Sequence, residues 1–94
     1  MVSAMIIDAA DNVGVAIESI KKGDTISYLD MTKKQVDIKA AEDISIYHKF
    51  ALCNIPQGQP VVKYGQHIGV AAADIKQGEH VHEHNVKSVR ENLG

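Results

Sequence analysis

The chain has 94 residues, 45% of them apolar, with 10 basic and 12 acidic side chains and a single cysteine. That length holds one domain, residues 1–94, which buries somewhat more than about 60% of its unfolded surface, and the near balance of charge excludes the basic patch that nucleic acid or an anionic membrane requires. Lone Cys53 excludes an internal disulfide and a multi-thiolate zinc site within the chain. No apolar run approaches the roughly 20 residues of a membrane span, and residues 1–7 lack the basic start and long apolar stretch of a signal peptide, so a cytoplasmic protein is expected.

In chain order, residues 3–8 carry Ala4, Met5, Ile6 and Ile7 and read as a first strand, closed by an Asp11-Asn12 turn. Val13, Val15 and Ile17 then alternate with other residues as a half-buried strand does, and a turn follows at Lys21-Lys22-Gly23-Asp24. Residues 27–46 are less regular, with a strand preferred over 36–38. Pro56 and Pro60 flank Gln57-Gly58 and enforce a turn or edge position. Val61, Val62 and Tyr64 read as a strand broken at Gly65, residues 66–69 as a turn containing His67, and residues 70–73 as the next strand. The tail, residues 87–94, reads as a helical turn or a frayed end. Cys53, between Leu52 and Asn54, is expected to be buried and inert.

One frame recurs three times: VAIESIKKGDTI (15–26), FALCNIPQGQPV (50–61) and VAAADIKQGEHV (70–81). Its shared positions are Ala16, Ile20, Gly23 and Ile26; Ala51, Ile55, Gly58 and Val61; Ala71, Ile75, Gly78 and Val81. Each reads as a strand, a tight turn at glycine, which takes positive φ without steric cost, and the start of another strand. Apolar content dominated by Val, Ile and Ala, with only Tyr28, Tyr47, Phe50 and Tyr64 as aromatics, fits thin, tightly packed strands. The expected architecture is a compact, mainly β module of short strands.

The third frame runs into His80-Val81-His82-Glu83-His84-Asn85. Residues two apart on a strand share a face, so the three histidines would form a column with neighbours roughly 6.5–7 Å apart. Two such imidazoles can tilt onto one divalent ion, especially with a carboxylate from elsewhere; a solvated polar face is the alternative. Glu83 points the other way, as a surface charge. His48-Lys49 form a second candidate site, an acid or base active near neutral pH beside a cation able to hold a carboxylate or an oxyanion. On a strand the two would face opposite ways. His67, Asp11-Asn12, Lys63-Tyr64 and Asp74 are assigned no chemical role.

Taken together, Asp11-Asn12-Val13 with Val15-Ala16, His48-Lys49 with Phe50-Ala51-Leu52, Lys63-Tyr64-Gly65 with Ile68-Gly69, Ala73-Asp74-Ile75, and Gly78-Glu79 through Val81-His82 to His84-Asn85 resemble the SAF-type, β-clip domain of the altronate and galactarate dehydratase family. The two-chain relatives of that family, sulfolactate sulfo-lyase among them, carry this domain as a separate small subunit. The resemblance spans nearly the whole chain. It implies a compact β-clip (SAF-like) fold and β-elimination from a sugar acid, usually with a divalent metal, iron(II) by preference and manganese(II) as the alternative. By the same resemblance, His82 and His84 are metal ligands, His48 and Lys49 are catalytic, and Asn85 with Lys49 binds substrate; His80 occupies a variable position. Tyr47 stands where the family usually has glycine, which alters the turn that aims His48. The catalytic region of the family is several times longer than this chain. The expectation is therefore the small subunit of a hetero-oligomeric hydro-lyase, inactive alone and completed by a large catalytic subunit, with a non-catalytic β-clip module binding a carbohydrate or a partner protein as the alternative.

Overall fold

The computed structural model describes residues 2–82 and 84–88. Among the described residues nine short strands follow one another: β1 (Ala4–Met5), β2 (Val13–Ala16), β3 (Thr25–Leu29), β4 (Gln35–Lys39), β5 (Lys49–Ala51), β6 (Pro60–Lys63), β7 (Gln66–Ala71), β8 (His80–Val81) and β9 (Val86–Ser88). They form three antiparallel sheets, ordered β1-β2-β5-β8, β3-β4 and β6-β7-β9. Among the described residues there is no helix, and none therefore long and apolar enough to cross a membrane. The fold is all-β, a compact SAF-like β-clip.

The repeated frame explains how such short strands hold together. The structure reveals a fourth copy, Ala40, Ile44, Tyr47 and Phe50, with the same spacing as Ala16, Ile20, Gly23 and Ile26. The copies pair in twos. Ile20 and Ile44 exchange both backbone hydrogen bonds, at 2.9 and 2.8 Å, while the Gly23 N–H donates to Ala40 O (2.9 Å) and the Tyr47 N–H to Ala16 O (2.7 Å). The other two copies repeat this: Ile55 and Ile75 exchange bonds at 2.7 and 2.8 Å, Gly58 donates to Ala71 O (2.8 Å) and Gly78 to Ala51 O (2.9 Å). All four donors sit at positive φ. Side chains add to the crossed pairing, since the carboxylate of Asp43 accepts from the Lys22 N–H, that of Asp74 from the Gln57 N–H, and the Asn54 amide oxygen from the Gln77 N–H.

Each pair closes over its own apolar cluster. The first contains Ala16, Ile20, Ile26, Tyr28, Ile44 and Phe50, the second Val13, Ala51, Ile55, Val61, Ile75 and Val81. Strand β5 is the seam, because successive strand residues face opposite ways and Phe50 enters the first cluster while Ala51 enters the second. Burying a Phe or Ile side chain stabilises a fold by about 1.5–3 kcal/mol, so these inward columns rather than any single sheet hold the molecule together.

Several sequence expectations need correction. Strand β2 is buried along its whole length rather than on one face, because β1 and β5 flank it and a cluster lies on each side. The preferred strand over 36–38 is the centre of β4, paired with β3 from Thr25↔Lys39 to Leu29↔Gln35. Residues 66–69 do not turn: Tyr64 and Gly65, at φ 55° and 75°, form the two-residue loop between β6 and β7, as such positive angles favour in hairpins, and His67 lies on β7 opposite Val62. The tail enters as strand β9 against β7; residues 89–94 and the surface charge expected at Glu83 lie outside the described residues. Cys53 is exposed, not buried. It occupies the frame position of Glu18, Glu42 and Ala73, on the outer loop of each copy, and none of those is buried either.

Asp11 and Asn12 do more than turn the chain. The Asp11 carboxylate accepts from the Ile7, Asp8 and Gly65 N–H groups, while the Asn12 amide donates to Pro60 O (2.8 Å) and accepts from the Val62 N–H (2.7 Å). Together they pin the β6–β7 hairpin to the start of β2.

Candidate functional site

Antiparallel pairing of β5 with β8 sets Lys49 opposite Val81 and Phe50 opposite His80. This register carries His48, one residue before β5, to the end of β8 where the other histidines leave the sheet. The Nδ1 of His48 lies 3.0 Å from the Nε2 of His80, with ring centroids 5.1 Å apart. His82 stacks on both, at 5.8 Å from His48 and 5.5 Å from His80, the latter pair only 12° from parallel. His84 lies tilted at 5.7 Å from His80 and 6.4 Å from His82. Four imidazoles thus make one cluster, with His80 in contact with the other three.

The expected strand column is only partly realised. Strand β8 ends at Val81, and the Asn85 N–H donates to His82 O (3.0 Å) to form a turn. Asn85 is the brace of this turn: its amide oxygen accepts from the His82 N–H (2.9 Å), and its amide nitrogen donates to His80 O (2.9 Å). The Asn85 side chain is therefore engaged with the backbone that carries the histidines.

His48 and Lys49 were expected to face opposite ways, yet both line one shallow pocket of about 210 Å³ with Tyr47 and His82. The alternation rule does not reach His48, because β5 starts at Lys49 and the preceding Tyr47 is left-handed, at φ 68°. Lys49 is half-buried; burial, and secondarily the charge of Lys63, holds its ammonium below the ordinary lysine range. A carboxylate brought to this point would relieve both effects.

Burial also pushes the His80 imidazole below its ordinary value of 6.5, and repulsion from His48, His82 and His84 adds to that, while Glu42 opposes it. Glu42 is the residue that sequence reasoning missed. Its carboxylate accepts the backbone N–H of His80 at 2.7 Å from 38 residues away, and only the fourth frame copy, which carries Glu42 between Ala40 and Ile44, could have signalled its place. A neutral imidazole sharing a hydrogen bond with a second one is suited to accept or pass a proton near neutral pH.

As a metal centre the set is incomplete. Imidazole nitrogen suits first-row divalent ions, but among the described residues no three His, Cys, Asp or Glu side chains converge on a common point. The His48 and His80 nitrogens lie within hydrogen-bond distance of each other.

An all-β clip of short antiparallel strands is the class of module that the SAF fold defines. The chain matches the altronate/galactarate dehydratase SAF domain over residues 2–89 and belongs to that family. It is 42% identical to an altronate dehydratase of Escherichia coli over 82 residues, 87% of this chain but 16% of that protein. Against an altronate dehydratase of Bacillus subtilis it is 40% identical over 88 residues, 94% of this chain and 17% of the relative. The chain thus spans about one-sixth of those two enzymes. Its likeness to the (2R)-sulfolactate sulfo-lyase subunit alpha of Chromohalobacter salexigens, 36% over 85 residues, covers 88% of this chain and 90% of that protein.

Proposed function

We propose that the chain is the small subunit of a two-chain sugar-acid dehydratase that works by β-elimination, with a large subunit completing the site. The observation that carries this reading is the juxtaposition of His48, His80 and His82 with Lys49 at one exposed edge. The match to a protein named subunit alpha over 90% of its length supports the two-chain arrangement.

Lys49 holds the substrate carboxylate, its ammonium half-buried and in need of a counter-charge. His48 takes the proton α to that carboxylate; the C–H electron pair forms the new double bond, the β C–O bond breaks, and the departing hydroxide takes up that proton from the His48–His80 pair to leave as water. His80, hydrogen-bonded to His48, receives the proton onward. Asn85 fixes the turn that presents His82 and His84, and its remaining hydrogen-bonding capacity faces the substrate. His82 and His84 are assigned as two ligands of a divalent ion, iron(II) by preference, with the other ligands coming from the large subunit. Such an ion would supply Lewis acidity to the departure of the hydroxyl group.

The lack of three converging ligands among the described residues favours one alternative, a non-catalytic β-clip module that binds a carbohydrate or a partner protein. The two readings separate on co-purifying the chain with its large subunit, loading iron(II) without oxygen, and measuring 2-keto-3-deoxy acid from altronate and galactarate, and sulfite from sulfolactate. Turnover by the pair and not by either chain supports the subunit reading. An inactive pair, or full turnover without this chain, overturns it.

A further inference from the structure

Tyr47 occupies a backbone position that its three frame counterparts give to glycine. Gly23, Gly58 and Gly78 take φ of 91°, 88° and 87°, and Tyr47 takes 68°. All four perform the same backbone task, donating an N–H to the first alanine of the paired copy, a task that needs positive φ and that an L side chain makes costly. Space alone does not explain the choice, since a Cβ at Gly23 or Gly58 would also meet nothing within 4 Å. Nor does packing offset the strain, because Tyr47 is 73% exposed. What distinguishes this copy is its neighbourhood: Tyr47 lines one pocket with His48, Lys49 and His82. Strained backbone beside reactive groups points toward function.

We propose that Tyr47 is a specificity-determining residue that touches the substrate, its ring forming the outer wall of the pocket. With the carboxylate at Lys49, the ring face lies against the carbon chain of a hydroxy acid and the phenol hydroxyl reaches one of its hydroxyl groups. A phenol offers both an apolar face and a hydrogen-bonding tip, which suits a polyhydroxylated anion. This inference rests on the proposed β-elimination site and deepens it by naming the group that reads the substrate's chain.

The test uses the chain assembled with its large subunit, as wild type, Tyr47→Gly and Tyr47→Phe. Glycine at 47 is expected to leave the melting temperature unchanged or higher and the affinity between the chains unchanged, while KM for the acid turned over rises ~10-fold or more and kcat changes little, as loss of uniform binding predicts. Tyr47→Phe separates ring from hydroxyl by falling between the two. A kcat/KM for Tyr47→Gly within about twofold of wild type overturns the inference alone. So does weakened assembly with unchanged KM at saturating large subunit, which would place the ring against the partner. If the wild-type pair turns over none of the acids, the proposed function fails; the ring resonances of Tyr47, followed by NMR as each acid is added to the pair, then decide the inference separately, and unmoved resonances overturn it.

Discussion

His48 and His80 stand 32 residues apart in sequence and 3.0 Å apart in space, nitrogen to nitrogen. One ring must donate and the other accept, so the bond is lost when both carry two protons. Burial and the three neighbouring histidines hold His80 below its ordinary value of 6.5. An unfolded chain therefore binds more protons than the folded one between the lowered value and about 6.5, and stability rises with pH across that window. The contribution is full above about 6.5 and is lost as pH falls toward the lowered value. Urea melts of the metal-free chain from pH 8 to pH 5 should show this slope, and His80→Gln should flatten it; parallel curves for the two proteins would remove His80 as its source.

Gly58 and Gly78 allow a controlled comparison. Both have φ near 88°, so replacement by alanine costs each about 1–2 kcal/mol of backbone strain. A Cβ at Gly58 meets nothing, whereas one at Gly78 would lie 2.2 Å from Lys39 O and 3.0 Å from Ala41 N. Gly78→Ala should therefore lose at least twice as much stability as Gly58→Ala in denaturant melts. Equal losses would show that the contact between the end of β4 and the turn at Gly78 is not rigid.

Asn85→Ala removes both the acceptor for the His82 N–H and the donor to His80 O, and should cost about 1–3 kcal/mol. Asn85→Asp keeps the acceptor and should cost less. If Asn85→Ala instead leaves stability intact while abolishing turnover in the assembled enzyme, the amide acts on substrate rather than on the backbone.

Lys63 depresses the Lys49 ammonium only secondarily to burial. Lys63→Gln should raise the pKa of Lys49, and a sugar-acid anion bound at the pocket should raise it further, both read from the Lys49 side-chain NMR signals. A Lys49 that fails to respond to the anion is not the carboxylate's partner.

Cys53, exposed on its loop, should react with a thiol reagent in the folded protein about as fast as in the unfolded chain. Protection by ~100-fold or more would contradict the exposed placement.

The all-β architecture was legible because three frame copies keep a glycine where the backbone must turn left-handed. The fourth escaped notice because Tyr47 replaces that glycine, although Ala40, Ile44 and Phe50 keep the spacing. Cys53 was misread from its apolar neighbours, when its frame position shared with Glu18 and Glu42 pointed outward. The histidines of 80–84 declared themselves locally, but their meeting with His48 depends on the β5–β8 register, a pairing between distant segments that no local pattern encodes. For the same reason Glu42 left no mark beside His80.

Consecutive residues of β5 serve two interiors, Phe50 one and Ala51 the other, and His48 and Lys49 lie at the head of that strand. Neither half can melt without withdrawing a wall from its neighbour, so the molecule should unfold in one cooperative transition. The histidine edge is thereby anchored to a fully buried segment, Phe50-Ala51. Amide exchange at Phe50 and Ala51 should require global rather than local opening, which gives His48 a fixed bearing on whatever approaches it.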